Sequence, residues 1–244
     1  MKSNNGIIIA FEGLDCSFKE TNYNSFVQKM EEKYGKEKIF TESFPRYDNE
    51  SAINVKKWLQ GQFDRDHLMK YPLVVNSLYS IDRLSYWYEK DESENCMINL
   101  LKDQPDNFFC FDRYNFSNSI YNPKNSKYGQ KIPCIDDFNF DSYTFGIPNP
   151  NIVVWMRMKN FDVLAELLSK KEGKDKNEVN LEFIHDVWER MEYVIKWNYC
   201  KELGIKSVIA ECLDENNNIR SREDIANDIW NQVSKRIEEI KESN

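Results

Sequence analysis

The sequence predicts an α/β protein: a doubly wound sheet of five parallel strands with helices on both faces. Three observations predict it. Short, continuously apolar runs recur along the chain, as strands buried on both faces of a parallel sheet require. Between them lie amphipathic stretches of about 12 to 20 residues, and such alternation is the pattern of parallel crossovers. The 244 residues are 41% hydrophobic and 14% aromatic, which is ample for a core. The chain reads as one domain over residues 1–244, because α/β domains commonly fill roughly 100 to 250 residues as one unit.

The elements follow in order. Gly6-Ile7-Ile8-Ile9-Ala10-Phe11 is the first buried strand. A polar loop runs from Glu12 to Lys19. A helix then carries Tyr23, Phe26, Val27 and Met30 on one face until Gly35 stops it. Ile39 to Phe44 is a second strand, ended by Pro45. Ile53, Val55, Trp58 and Leu59 mark a helix between Ser51 and Phe63, closing at Gly61, and Pro72 to about Glu89 is a long aromatic helix. Asn107 to Phe111 is the third strand and runs into Asp112-Arg113. Asn151 to Met156, announced by Pro148 and Pro150, is the fourth. An amphipathic helix covers Leu181 to Leu203, Ser207 to Ala210 is the fifth strand, and Arg222 to about Ile240 closes the chain.

Composition excludes several classes. There are 33 Lys and Arg against 41 Asp and Glu, a formal charge of −8, which argues against a nucleic-acid-binding surface. No apolar run approaches the roughly 20 residues of a membrane helix, and the N-terminal apolar run is too short for a signal peptide. The six cysteines contain no CxxC pair and read as reduced thiols, and two histidines do not make a multi-histidine metal site. The expected setting is the cytoplasm.

Ligands of such a sheet gather at the carboxyl ends of its strands, and polar clusters fall there. Glu12-Gly13-Leu14-Asp15-Cys16-Ser17-Phe18-Lys19-Glu20-Thr21 has the spacing of a G-x-x-x-x-G-K-[ST] phosphate loop. Such a loop turns backbone amides toward phosphate oxygens at a helix N-terminus, and its lysine adds a point charge. Phe18 stands where the second glycine belongs and Glu20 where the metal-binding hydroxyl belongs, with Thr21 one step further. An ordinary strand-to-helix turn would read similarly. In Phe44-Pro45-Arg46-Tyr47, Arg46 can fork onto a phosphate or be a surface residue after a turn. Asp112-Arg113 can be an ion pair capping the sheet, or a metal-side carboxylate beside a phosphate-side guanidinium. Tyr79 and Arg83 are four apart, so they share a helix face; they can clasp a planar base or belong to a core stripe.

In this order the clusters resemble the thymidylate kinases, a family of P-loop nucleoside monophosphate kinases. Glu12 to Asp15 with Lys19, Phe44 to Tyr47, Asp82-Arg83, Asp112 through Tyr121 and the turn Gly146-Ile147-Pro148-Asn149-Pro150-Asn151 carry the resemblance over most of the chain. Asp175-Lys176-Asn177-Glu178 resembles the acidic step after the family's lid, placed here near residues 168–180.

The resemblance implies ATP-dependent phosphorylation of dTMP to dTDP, a step of dTTP biosynthesis, with Mg²⁺ as cofactor. Gly13, Leu14, Cys16, Ser17, Phe18, Lys19, Glu20 and Thr21 would surround the ATP phosphates, with Lys170 and Lys171 reaching from the lid in place of an arginine. Asp15 would sit between donor and acceptor. Arg46, beside Tyr47, and Arg113 would grip the acceptor phosphate. Asp112, with Asp15 and Glu178, would order the metal. Tyr79 would stack on thymine, with Arg83 and Asn118 on its edge, Ser117 nearby, and Tyr121 beneath the deoxyribose. It also implies a homodimer, for which Tyr71 to Trp87 offers an apolar surface. Two alternatives stay open: a homologue that binds nucleotide in a regulatory role without useful turnover, and a kinase for another deoxynucleotide.

Overall fold

The computed structural model describes residues 5–68, 70–121, 138–171 and 180–243. Five strands, β1 (Ile7–Gly13), β2 (Ile39–Ser43), β3 (Phe108–Asp112), β4 (Ile152–Arg157) and β5 (Lys206–Glu211), form one sheet in the order β2-β3-β1-β4-β5. Every pairing is parallel. The expected five-stranded doubly wound sheet is therefore present. β1 lies at its centre, and the chain winds first to one side of it and then to the other. The crevice that such a switch opens falls at the carboxyl end of β1.

Alternation along β1 divides the core. Ile7, Ile9 and Phe11 face one layer, packed with Tyr23, Phe26 and Met30 of α1 (Lys19–Tyr34) and with Ile225, Ile229, Val233 and Ile237 of the closing helix Arg222–Ser243. Ile8 and Ala10 face the other, with Phe109, Phe111, Tyr86, Trp87, Ile98 and Leu101. Period-two side chains on a strand buried on both sides produce this division. α1 ends at Gly35, whose φ of 93° is open to glycine and not to a residue with a Cβ.

The remaining helices in chain order are α2 (Ile53–Leu59), α3 (Arg65–Leu68), α4 (Pro72–Tyr88), α5 (Met97–Asp103), α6 (Asn115–Tyr121), α7 (Phe140–Phe145), α8 (Phe161–Lys170) and α9 (Leu181–Trp197). Three differences from the sequence reading have local causes. The helix expected through Leu203 stops at Trp197, because Asn198 takes a left-handed conformation at φ 50°, and a separate turn, Tyr199–Glu202, follows. The helix expected from Ser51 begins as a 3₁₀ turn, Glu50–Ala52, capped by the Asn49 side chain accepting from Ser51 N–H. Helices α3, α5, α6, α7 and α8 go beyond the expected set. All five have ten residues or fewer, too short for a clear sequence period, and tertiary packing supports them. Lys170 belongs to the last turn of α8 rather than to a lid loop. Glu178 and the acidic step around it lie outside the described residues.

Candidate active site

A cavity of about 550 Å³ opens above the carboxyl end of β1. Its walls come from the β1–α1 loop, the segment after β2, helices α2 to α4, the end of β3 with α6, Lys171 just after α8, and Phe183 of α9. It thus gathers the polar clusters that the sequence separates by up to about a hundred residues.

The loop from Glu12 to Lys19 turns sharply. Cys16 has φ 61° and Phe18 has φ 59°, both left-handed. The Phe18 value is the conformation that the missing glycine would supply freely, and a Cβ there costs about 1–2 kcal/mol. Such strain persists only where surrounding structure enforces it. Here the Ser17 hydroxyl donates to Leu14 O at 2.6 Å, the Asn22 amide donates to Phe18 O at 2.8 Å, and Cys212 Sγ lies 3.3 Å from Ser17 O. Gly13 lies under the turn, where a Cβ would stand 2.8 Å from Ser17 Oγ and 2.9 Å from Met156 Cβ. The first turn of α1 then presents amides with no intrahelical acceptor. Leu14, Asp15, Cys16, Phe18, Lys19, Glu20 and Thr21 line the cavity. Gly13 and Ser17 are not on its wall and act from beneath.

Lys19, Arg83 and Arg113 at the cavity are each matched by a carboxylate of the chain. Lys19 Nζ pairs with Asp112 Oδ1. Arg113, itself at φ 63°, donates from Nη1 to Gly13 O at 2.8 Å and from Nη2 to Asp15 Oδ1 at 2.7 Å. Its guanidinium carbon stands 5.6 Å from the centre of the Tyr121 ring. Burial and the neighbouring Arg113 charge lower the Lys19 ammonium to about 7, against the opposing pull of Asp15, Glu12 and Glu20. Glu12 is buried at the end of β1, and burial raises its carboxyl pKa. It accepts from Tyr114 N–H at 2.9 Å and from the Ser117 hydroxyl, so it ties the loop to α6.

The α4 wall carries Tyr79 and Arg83, and α6 carries Ser117, Asn118 and Tyr121. Arg83 is 2% exposed and donates from Nε to Asp141 Oδ2 at 2.6 Å, while its Nη2 has no hydrogen-bond partner among the described residues. Asn118 donates its amide to Asn76 O at 3.3 Å.

Two expected site residues stand elsewhere. Arg46 does not reach the cavity wall: Asp82 accepts from its backbone N–H at 2.7 Å and from Nε at 3.0 Å, and Nη2 donates to Asp82 O and to Ser51 Oγ. A buried aspartate draws the guanidinium to α4, while Pro45 and Tyr47 on either side do line the cavity. Lys170 pairs with Glu166 one turn earlier at 2.6 Å and faces solvent, whereas Lys171 is on the wall. Helix period explains this split, since Lys170 is still in α8 and Lys171 has left it.

Sequence reasoning missed several wall residues. Trp58 and Leu59 of α2, Arg65 of α3 and Phe183 of α9 all line the cavity, and the Arg65 guanidinium lies 4.4 Å from the Trp58 ring centre. These residues carry no motif, and their places depend on how short helices pack. Asp141 was missed too. The available signal was indirect: an arginine buried in a helix demands a carboxylate, without saying which one.

A loop, lysine and helix at the carboxyl end of the central strand, in a sheet of order β2-β3-β1-β4-β5, have the strand–loop–helix arrangement of a P-loop fold. The solved structures narrow it further. Thymidylate kinase from Candida albicans matches at TM-score 0.63 and 17% identity, over 96% of this chain and 94% of that one. Thymidylate kinase from Ehrlichia chaffeensis matches at TM-score 0.61 and 18% identity, over 94% and 99%. The chain has the thymidylate kinase fold. No protein-family model and no curated protein sequence matches it.

Proposed function

We propose that this chain is a nucleoside monophosphate kinase that transfers the γ-phosphoryl group of ATP to dTMP. The observation that carries the reading is the α4–α6 wall. There Arg83, Tyr79, Asn118 and Tyr121 line one cavity with Arg113, Lys19 and the phosphate-type loop. Arg83 offers a hydrogen-bond donor, and Asn118, whose NH₂ group is used by Asn76 O, has a carbonyl oxygen to offer. A thymine edge carries the complementary pair, a ring carbonyl beside a ring N–H. The Tyr79 ring would stack on its face and Tyr121 would pack against the sugar.

Phosphoryl transfer needs in-line placement and positive charge around the moving group. Lys19 and the first-turn amides of α1 would hold the donor phosphates. Arg113 would bridge donor and acceptor once phosphate oxygens displace Asp15 from it, and Lys171 would approach from the far side. Arg46 joins the acceptor phosphate in this reading only by leaving Asp82, a rearrangement within one turn of α4. The oxygen donors at the cavity, Asp15, Glu20, Thr21 and Asp112, fit Mg²⁺, which favours one or two carboxylates together with phosphates and water. Mg²⁺ supplies charge neutralisation between phosphate oxygens when bound.

The family resemblance also leads us to propose a homodimer and a cytoplasmic setting. Val74, Ile81 and Tyr88 recur at seven-residue spacing on α4 and are all exposed, along with Tyr71, while Tyr86 and Trp87 belong to the core. No described helix is long and apolar enough to cross a membrane.

A coupled assay with ATP, Mg²⁺ and each deoxynucleoside monophosphate, run beside Lys19→Ala, tests the reading. Turnover of dTMP that Lys19→Ala abolishes supports it. The strained Phe18 and the carboxylate of Glu20 in the hydroxyl's place favour a second reading, a nucleotide-binding homologue without turnover. Tight dTMP binding with no turnover on any acceptor would select that one. Turnover confined to a different acceptor would select a kinase for that deoxynucleotide.

A further inference from the structure

Helix α6 is seven residues long, too short to hold itself together in water, yet it carries Ser117, Asn118 and Tyr121 of the cavity wall. Its two ends are held by buried charges of the sign that each end favours. At the amino end, Glu12 accepts from Tyr114 N–H at 2.9 Å and from Ser117 N–H at 3.3 Å. At the other end the last carbonyls of a helix have no intrahelical donor. There Arg190 Nη1 donates to Ile120 O at 3.0 Å and to Tyr121 O at 3.4 Å.

Arg190 comes from α9 and is 6% exposed. Phe183, Val187, Arg190 and Val194 recur at helical spacing, so the guanidinium lies within the apolar stripe of that helix. Asp186, one turn earlier, balances its charge at 3.7 Å. Burying a guanidinium in such a stripe carries a desolvation penalty, and a well-packed apolar side chain often serves stability as well or better. What an apolar side chain cannot supply is a donor to α6. The same helix sends Phe183 to the cavity wall, with its ring centre 6.3 Å from that of Tyr121. The Tyr121 ring also meets the Arg113 guanidinium. Tyr121 is the last residue of α6, and a helix end deprived of its donors frays, so this ring is what a loosened end would displace.

We propose that Arg190 is a positioning residue for the acceptor site: by donating to the last carbonyls of α6 it holds Tyr121 at the cavity wall, beside Arg113. This rests on the nucleotide-acceptor reading above and adds to it a residue outside the cavity wall on which acceptor affinity depends. The donor side does not share the dependence, because the phosphate-type loop is tied to α6 through Glu12 at the opposite end.

Titration calorimetry on the full chain, with dTMP and with ATP separately, tests this and reads binding whether or not the protein turns over. Thermal unfolding is followed in the same samples. Arg190→Met keeps the stem and loses the donors. It should weaken dTMP binding on the order of 10-fold, with ATP affinity within about twofold of wild type. Arg190→Lys keeps the charge and one reaching donor, and should weaken dTMP by only about threefold. In a Tyr121→Ala background, Arg190→Met should lower dTMP affinity little further, because the two act through one contact. A merely structural role would lower stability and weaken both ligands alike. That outcome overturns the inference, as does a folded Arg190→Met protein with wild-type dTMP affinity, or a full loss that persists in the Tyr121→Ala background. If Arg190→Met does not fold, Arg190→Lys decides: a loss of about threefold confined to dTMP supports the inference, and unchanged dTMP affinity overturns it. A wild-type protein that binds no dTMP overturns the functional reading itself, and this inference with it. Wild-type dTMP binding that both variants retain in full overturns this inference alone.

Discussion

The loop residue Phe18 allows a quantitative comparison. Its φ of 59° and ψ of 22° lie in the left-handed well, at the position where a phosphate loop normally has glycine. Replacing it directly by glycine mixes three effects: relief of backbone strain, loss of the packing of its ring against the core, and greater freedom of the unfolded chain. Comparing Phe18→Gly with Phe18→Ala removes the packing term, because both lose the ring. Alanine retains a left-handed penalty of about 1–2 kcal/mol. Glycine has none, but gives up about 0.4–1 kcal/mol through its unfolded chain. The glycine variant should therefore be the more stable of the two by about 0.5–1 kcal/mol; interior helix propensity does not enter, because Phe18 is the N-cap and lies outside α1. In a chain of this size that difference moves the melting temperature by about 1–4 °C. Urea titrations of both variants, followed by circular dichroism, measure it. An alanine variant as stable as the glycine variant or more so would refute the reasoning, and would mean that the loop relaxes out of the left-handed conformation.

Other perturbations follow from the same geometry. With the Lys19 ammonium lowered to about 7 by burial and Arg113, the native state binds fewer protons than the unfolded chain between about pH 7 and the ordinary lysine value. The contribution of this group to stability therefore rises with pH across that window, and Lys19→Met should flatten the rise in urea midpoints measured from pH 7 to 10. Asp82→Ala removes a buried acceptor of Arg46 N–H, Nε and Ser51 Oγ, and breaking such a pair should cost about 3 kcal/mol in urea unfolding. Light scattering should give twice the 29.2 kDa of the chain, and Ile81→Lys, on the exposed face of α4, should return a monomer; a wild-type monomer would exclude the dimer.

The sequence by itself determined the sheet. The three inner strands are apolar runs buried on both faces, and local pattern is sufficient to find such a run, as Ile7–Gly13 and Ile152–Arg157 illustrate. It also placed Lys19, Asp112, Arg113, Tyr79, Arg83, Asn118 and Tyr121 at strand ends or on helix faces, and all of them line one cavity. Tertiary structure alone decided how those charges pair. Whether Arg46 faces a ligand or Asp82 depends on the packing of α4 against the segment after β2, across 36 residues. The partnership of Arg83 with Asp141 spans 58. A buried guanidinium requires a carboxylate, and that requirement is legible in any sequence. Which carboxylate meets it is a question of distance in space, and residue spacing along the chain carries no record of that distance beyond the helix or strand in which it is read.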